Sequence, residues 1–353
     1  MSEHRPDTTE DSIAWARELM AGADPYATYR SMAALARTTP GDVLQALPYS
    51  AGLPFHDPTC VVVEPEPSGY DTPHVYARAA YRDFDRVLLA PFTTATNAHL
   101  LAEIYHRLTI DGSNIALVTN HGEIVDIALV LAALVLAVCD PNRTFGVLGE
   151  RADLDEIASR CNVLVSRMVT TRQAFSVPAV EVLSSMCRSW FSIPQTASRR
   201  RVRLDPELVR ANNLVMRHEL HRQLERGGQL VAMAASGSQD LSLAANLAQR
   251  VRATWRQRRG VEPDGPSLHL QPLYDGTIHL MLTCGYVIPM AISLDPAHPA
   301  CEIGGMTRVR EASDCHAVMD WIASAHQETT GIATIYHHHE DPLLTQVRDI
   351  LRS

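Results

Sequence analysis

Positive charge is scarce in this chain and of one kind. The 353 residues carry a formal net charge of −9, and all 31 basic residues are arginine, none lysine. A net-negative chain lacks the surplus of basic groups that displaces counterions from nucleic acid, so general nucleic-acid binding is not expected. The exclusive use of arginine fits a GC-rich coding sequence and identifies no partner. Paired cysteines are also missing: the seven (Cys60, Cys139, Cys161, Cys187, Cys284, Cys301, Cys315) are scattered and form no CxxC, which indicates neither a disulfide framework nor a zinc site. The start, MSEHRPDTTEDS, lacks the basic n-region and apolar h-region of an export signal. A reducing cytoplasm is the expected location. No apolar run is long enough to cross a bilayer. The longest, IVDIALVLAALVLAV from Ile124 to Val138, would span only about 22 Å as a helix against a hydrocarbon core of roughly 30 Å. Asp126 lies inside it, so a buried helix is expected, with peripheral contact to membrane lipids left open.

What is present is an α/β pattern behind a helical start. Residues 1–52 read as a small helical domain, with amphipathic stretches TTEDSIAWARELM and DPYATYRSMAALAR between turn signals. Residues 53–72 are rich in proline and glycine and suit a linker with one short strand. From 73 to 353, short β-branched runs alternate with longer helical patterns, as expected of a central mixed sheet flanked by helices. Strands are expected at Asn114–Thr119, Thr144–Leu148, Cys161–Ser166, Gln229–Ala234 and Tyr286–Ser293. Helices are expected near 98–108, 123–138, 206–226 and 242–258. The third is best marked, with Asp205 as N-cap, Pro206 at its first position and Gly227 past its end.

Two His-x4-Asp pairs occur, His106 to Asp111 and His121 to Asp126. The first falls between a helix end and the turn DGSN, where nothing is expected to hold the side chains in one site. His121 directly follows the strand NIALVT, and Asp126 opens the next helix. Ligand sites in α/β folds collect at such junctions. There a histidine can take a hydroxyl proton on one ring nitrogen, while an aspartate at the other fixes the tautomer and stabilises the imidazolium. The helix N-terminus adds donors for anions. The plainer alternative is a capping histidine beside an aspartate that complements the helix dipole.

The stretch NHGEIVD, with Asn120, His121 and Asp126, resembles the Asn-His-x4-Asp signature of the glycerolipid acyltransferases. Further stretches are similar, in order from about Val75 to Tyr336, to the soluble plastid-type glycerol-3-phosphate acyltransferases. They are GVLGERAD, the long PELVRANNLVMRHELHRQLERGGQLVAMAASGSQD segment, PLYDGTIHLML, GYVIPMAI and ATIYHHHE. The resemblance implies a soluble α/β catalytic domain behind a helical bundle. It would move a fatty acyl group from acyl-carrier protein or coenzyme A to a hydroxyl acceptor, without metal, cofactor or covalent intermediate. It implies His121 as general base and Asp126 as its orienting partner. Backbone amides near Gly122 or at Ser236, Gly237 and Ser238 would serve the oxyanion.

Departures from the family concern the acceptor. Two loop arginines that hold its phosphate correspond here to Gln239 and Leu241, and neither offers arginine's fixed charge and bidentate geometry. Arg151, in the GVLGERAD segment, and Arg200 with Arg201, in SRRRVRLDPEL, are the remaining cations aligned with the substrate site. About thirty residues with no family counterpart, roughly Met168 to Ala197, precede the latter pair, and Arg167 is its alternative. A less charged hydroxyl or amine acceptor of a specialised lipid or natural-product pathway is therefore the competing reading. Water as acceptor would make a thioester hydrolase, and a degenerate homologue would only bind acyl-carrier protein or lipid.

Other groups carry less. His218 and His221 lie one turn apart without a carboxylate in register and fit a polar helix face; His337, His338 and His339 offer an opportunistic metal contact. Arg250, Arg252, Arg256, Arg258 and Arg259 fit a solvated face or a dock for acidic carrier protein. Ser236 and Ser238 lack a GxSxG elbow, so no serine nucleophile is expected.

Overall fold

The structure, a computed structural model, describes residues 10–22, 60–62, 71–122, 126–140, 152–165, 182, 186–192, 206–235, 240–243 and 266–339. Its centre is a mixed eight-stranded sheet. In chain order its strands are β1 (Cys60–Val62), β2 (Ile115–Thr119), β3 (Cys161–Val165), β4 (Ser189–Ser192), β5 (Leu230–Ala234), β8 (Tyr286–Ser293), β9 (Ala300–Ile303) and β10 (Thr307–Arg308). They lie side by side as β1-β4-β3-β5-β2-β8-β10, with β9 also on β8. The five strands from β4 to β8 run parallel, and β1, β9 and β10 add antiparallel edges. A second sheet holds β6 (Leu241–Leu243), β7 (Ser267–Leu270) and β11 (Ala333–Tyr336) in the order β11-β7-β6.

Alternation along the strands sends successive residues to opposite faces, and both faces are covered. Ile115, Leu117, Val163, Leu230, Ala232, Ile288 and Met290 join one apolar core. Ala116, Val118, Val231, Met233, Val287 and Ala291 join the other. The first core lies under α2 (Asp71–Ala80), α3 (Ala95–Thr109), α4 (Asp126–Cys139) and α5 (Leu154–Arg160). The second lies under α6 (Pro206–Leu224), α7 (Asp275–Cys284) and α8 (Ala312–Thr330). Helix α4 is the apolar run noted above, and all 14 of its residues are buried. A helix hydrophobic on every side needs cover on every side, and the neighbouring helices and the sheet give it. No helix among the described residues is long and apolar enough to cross a membrane.

Four expected strands and three expected helices fall on these elements within a few residues; the strand at Thr144–Leu148 lies outside the described residues. The helix near 242–258 is corrected at its start. Leu241–Leu243 pairs antiparallel with β7, Leu241 opposite His269, and the rest lies outside the described residues. The stretch without a family counterpart contributes β4, and the expected linker contributes β1, which pairs with it. Of the N-terminal segment the structure describes α1 (Glu10–Gly22). Its Ile13 and Ala16 pack against Ala211, Leu214 and Val215 of α6, and Arg17 donates to Glu219 at 2.5 Å.

The turn after α6 depends on glycine. Gly228 has φ +63°, and a Cβ there would strike the Leu108 carbonyl oxygen and come within 2.6 Å of Arg160 Nη1. Its N–H donates to the Gly112 carbonyl at 2.8 Å. Gly228→Ala therefore meets both a left-handed backbone and a backbone clash, and should cost about 2 kcal/mol or more. A shift of the urea midpoint measures it; an unchanged midpoint would mean that the turn rearranges freely.

Candidate active site

Strand β2 delivers Asn120 and His121 to the C-terminal edge of the parallel sheet, where its main-chain ladder ends. Asn120 is buried and prolongs the ladder with its side chain. Nδ2 donates to the Ile292 carbonyl at 2.9 Å and Oδ1 accepts the Ile292 N–H at 2.8 Å. The turn carrying His121 is thereby tied to β8. On the other side, the Ala235 N–H donates to the Thr119 carbonyl at 3.1 Å.

His121 Nδ1 lies 3.5 Å from Asp126 Oδ2, slightly beyond normal hydrogen-bond length. The histidine side chain is 15% exposed and the aspartate 2%. Asp126 opens α4, where the helix dipole favours its negative charge. A dry carboxylate behind a ring that reaches the surface suits orientation by one group and proton transfer by the other.

Distance alone does not separate the two His-x4-Asp pairs. His106 Nδ1 lies 3.4 Å from Asp111 Oδ1, so, against expectation, these side chains do meet. The reason is local: the Asp111 N–H donates to the His106 carbonyl at 3.0 Å and closes the helix end. This pair is on the surface, 60% and 31% exposed, and Arg107 donates to the same carboxylate at 2.9 Å. Burial and surroundings distinguish the site.

A residue without an assigned role proves central. The buried Asp240 accepts the His121 N–H on Oδ2 at 2.6 Å and the Gln271 N–H on Oδ1 at 3.1 Å. Its own N–H donates to the His121 carbonyl at 2.7 Å. Burial pushes its carboxyl up to about 6, Asp126 adding to the rise while the two amides and His121 pull the other way. The sequence shows Asp240 at the end of ASGSQD, but its partners are 119 and 31 positions away, and no local pattern announces them.

Arg151, Arg200, Arg201, Ser236, Gly237, Ser238 and Gln239 lie outside the described residues, as do Arg250, Arg252, Arg256, Arg258 and Arg259. His218 is half-buried; His221 is exposed and lies 3.5 Å from Glu225. His337 turns inward, its Nε2 3.0 Å from His269 Nδ1, while His269 Nε2 lies 3.1 Å from Ser267 Oγ. His338 pairs with Asp320 at 3.3 Å. Among the described residues no three His, Cys, Asp or Glu side chains form a group that could hold a metal ion. A depression of about 350 Å³ between α8 and β11, lined by Asp320, Ser324, Gln327, Glu328 and Tyr336 among others, includes neither His121 nor Asp126. Comparison with protein-family models and with curated proteins found no match.

Proposed function

We propose that the protein is an acyltransferase that moves a fatty acyl group from a thioester, on acyl-carrier protein or coenzyme A, to a small hydroxyl acceptor. The observation that carries this reading is the partly exposed His121 with Nδ1 3.5 Å from the buried Asp126 carboxylate, at the C-terminal edge of a parallel sheet. With Nδ1 turned to Asp126, Nε2 is the nitrogen that takes the acceptor proton. The acceptor oxygen attacks the thioester carbonyl, the carbon–sulfur bond breaks, and the proton passes from the imidazolium to the departing thiolate. Asp126 holds the ring and stabilises its charged form between these steps. Backbone amides near Gly122 or at Ser236 to Ser238 would stabilise the oxyanion. In this reading residues 1–52 form the small helical domain, the thioester is met in the cytoplasm or at a membrane surface, and no metal takes part.

The acceptor is proposed to be less charged than glycerol 3-phosphate. Gln239 and Leu241 stand where two arginines would hold its phosphate, and a charge-assisted hydrogen bond contributes on the order of 1.5 to 3 kcal/mol. Mass spectrometry of products from a panel of acyl thioesters with hydroxyl and amine acceptors tests both parts. Acylated acceptors support transfer, free fatty acid alone indicates a hydrolase, and unchanged thioester indicates a binder. Glycerol 3-phosphate is expected to be poor, and Gln239→Arg with Leu241→Arg to improve its use. Efficient acylation of it at low millimolar concentration or below would move the phosphate to Arg151, Arg200 or Arg201.

A further inference from the structure

We infer that Asp240 is the positioning residue of the His121 site, its buried carboxylate fixing the main chain that carries the imidazole and joining that turn to the second sheet. The inference rests on the proposed role of His121 and goes beyond it.

His121 lies past the end of β2, where neither neighbouring strand offers it a ladder partner. Asp240 replaces the ladder. It takes the His121 N–H with a side-chain oxygen and gives its own N–H to the His121 carbonyl, so both main-chain groups of His121 are held by one residue. The second carboxylate oxygen takes the Gln271 N–H, just beyond the end of β7. Asp240 itself immediately precedes β6, which pairs with β7. One carboxylate thus joins the end of the catalytic strand to the start of β6 and the end of β7. The two N–H donors are taken by separate carboxylate oxygens. Asparagine has one, and its NH₂ would face a donor.

The site makes this clamp responsive to charge. The ionisable groups acting on Asp240 are His121 and Asp126; His269, on the paired strand, is engaged with Ser267 and His337. Once ionised, Asp240 places a second negative charge near the imidazole and favours its protonated form. Once protonated, it presents an O–H where its partners are N–H groups, and the clamp weakens. Ser236 to Gln239, four residues proposed to line the substrate site, directly precede Asp240 in the chain.

The test is the titration of the His121 ring in the full-length chain, by NMR of protein with ¹⁵N-labelled histidine, assigned with His121→Ala. It needs no substrate. Asp240→Asn should lower the His121 midpoint by on the order of half a unit or more, and Asp240→Glu, which keeps the charge, should recover part of the shift. In the wild type the ring should also report an inflection near pH 6 as Asp240 loses its proton. For turnover, Asp240→Asn should lower kcat by about 10-fold or more with KM little changed, since the residue acts through the His121 main chain. The acid limb of the wild-type pH–rate profile should be steeper than that of the variant. A folded Asp240→Asn with the wild-type midpoint overturns the inference. Where that variant does not fold, a single-step wild-type titration overturns it. A wild-type chain that transfers no acyl group while the ring still reports Asp240 overturns the acyltransferase reading and leaves the positioning role standing.

Discussion

His121→Ala should lower acyl-transfer turnover about 10²- to 10⁴-fold while the protein keeps its fold, because it removes the group that takes the acceptor proton. The main-chain bonds between His121 and Asp240 do not involve the ring and survive its removal. Asp126→Asn should also impair turnover, by loosening control of the imidazole. Its stability must be measured alongside, since a carboxylate at the start of α4 contributes about 0.3 to 1 kcal/mol, up to ~2 when partly buried. His106→Ala is the matched control. Its pair has almost the same separation, 3.4 Å, but is exposed and shares its carboxylate with Arg107, so neither turnover nor fold should change. Equal turnover in a folded His121→Ala removes His121 from the mechanism.

Four of the five parallel strands were legible as short, largely apolar runs; β4, SWFS, was not. Tyr286–Ser293 is read to the residue. Helix α4 was legible from length and apolarity together. What escaped is set by distant pairing. Leu241–Leu243 becomes a strand because β7 lies beside it; in isolation LSL fits a helix start equally well. Helix α8 starts at a capping box formed by Glu311 and Asp314, which lack the usual Ser/Thr and Glu/Gln of that signature, and Gly331 ends it in the left-handed conformation. The candidate site divides in the same way. His121 and Asp126 are five positions apart, and one strand-to-helix junction accounts for both. Asp240 and Gln271 arrive from the second sheet, and no spacing in the chain predicts that a buried carboxylate would replace the ladder at His121. His106 and Asp111 show the converse, a close pair produced by a helix end rather than by a site.

The second large effect concerns acid stability. His326 on α8 is 3% exposed, and its Nδ1 lies 2.8 Å from Thr334 Oγ1 on β11. Burial pushes its ring from the usual 6.5 down to about 4. Between those values the unfolded chain binds a proton that the folded chain refuses. The stability tied to the neutral ring is therefore present above pH 6.5 and lost as pH falls toward 4, by about 3 kcal/mol at most. Asp240 acts with the opposite sign. Its folded value, about 6 against an ordinary 3.8, makes the folded chain the tighter proton binder, so its contribution is present below pH 3.8 and lost as pH rises through 6. The two nearly offset each other in the wild type between pH 4 and 6. Substitution separates them. In urea titrations at several pH values, His326→Gln should abolish the histidine's share, so that stability falls as pH rises from 4 to 6. Asp240→Asn should leave the histidine's share unopposed and give a steep loss on acidification. Any pH-independent cost of either substitution displaces a whole curve and does not alter its slope. Curves for both variants that run parallel to the wild type would mean that neither group titrates as its burial requires.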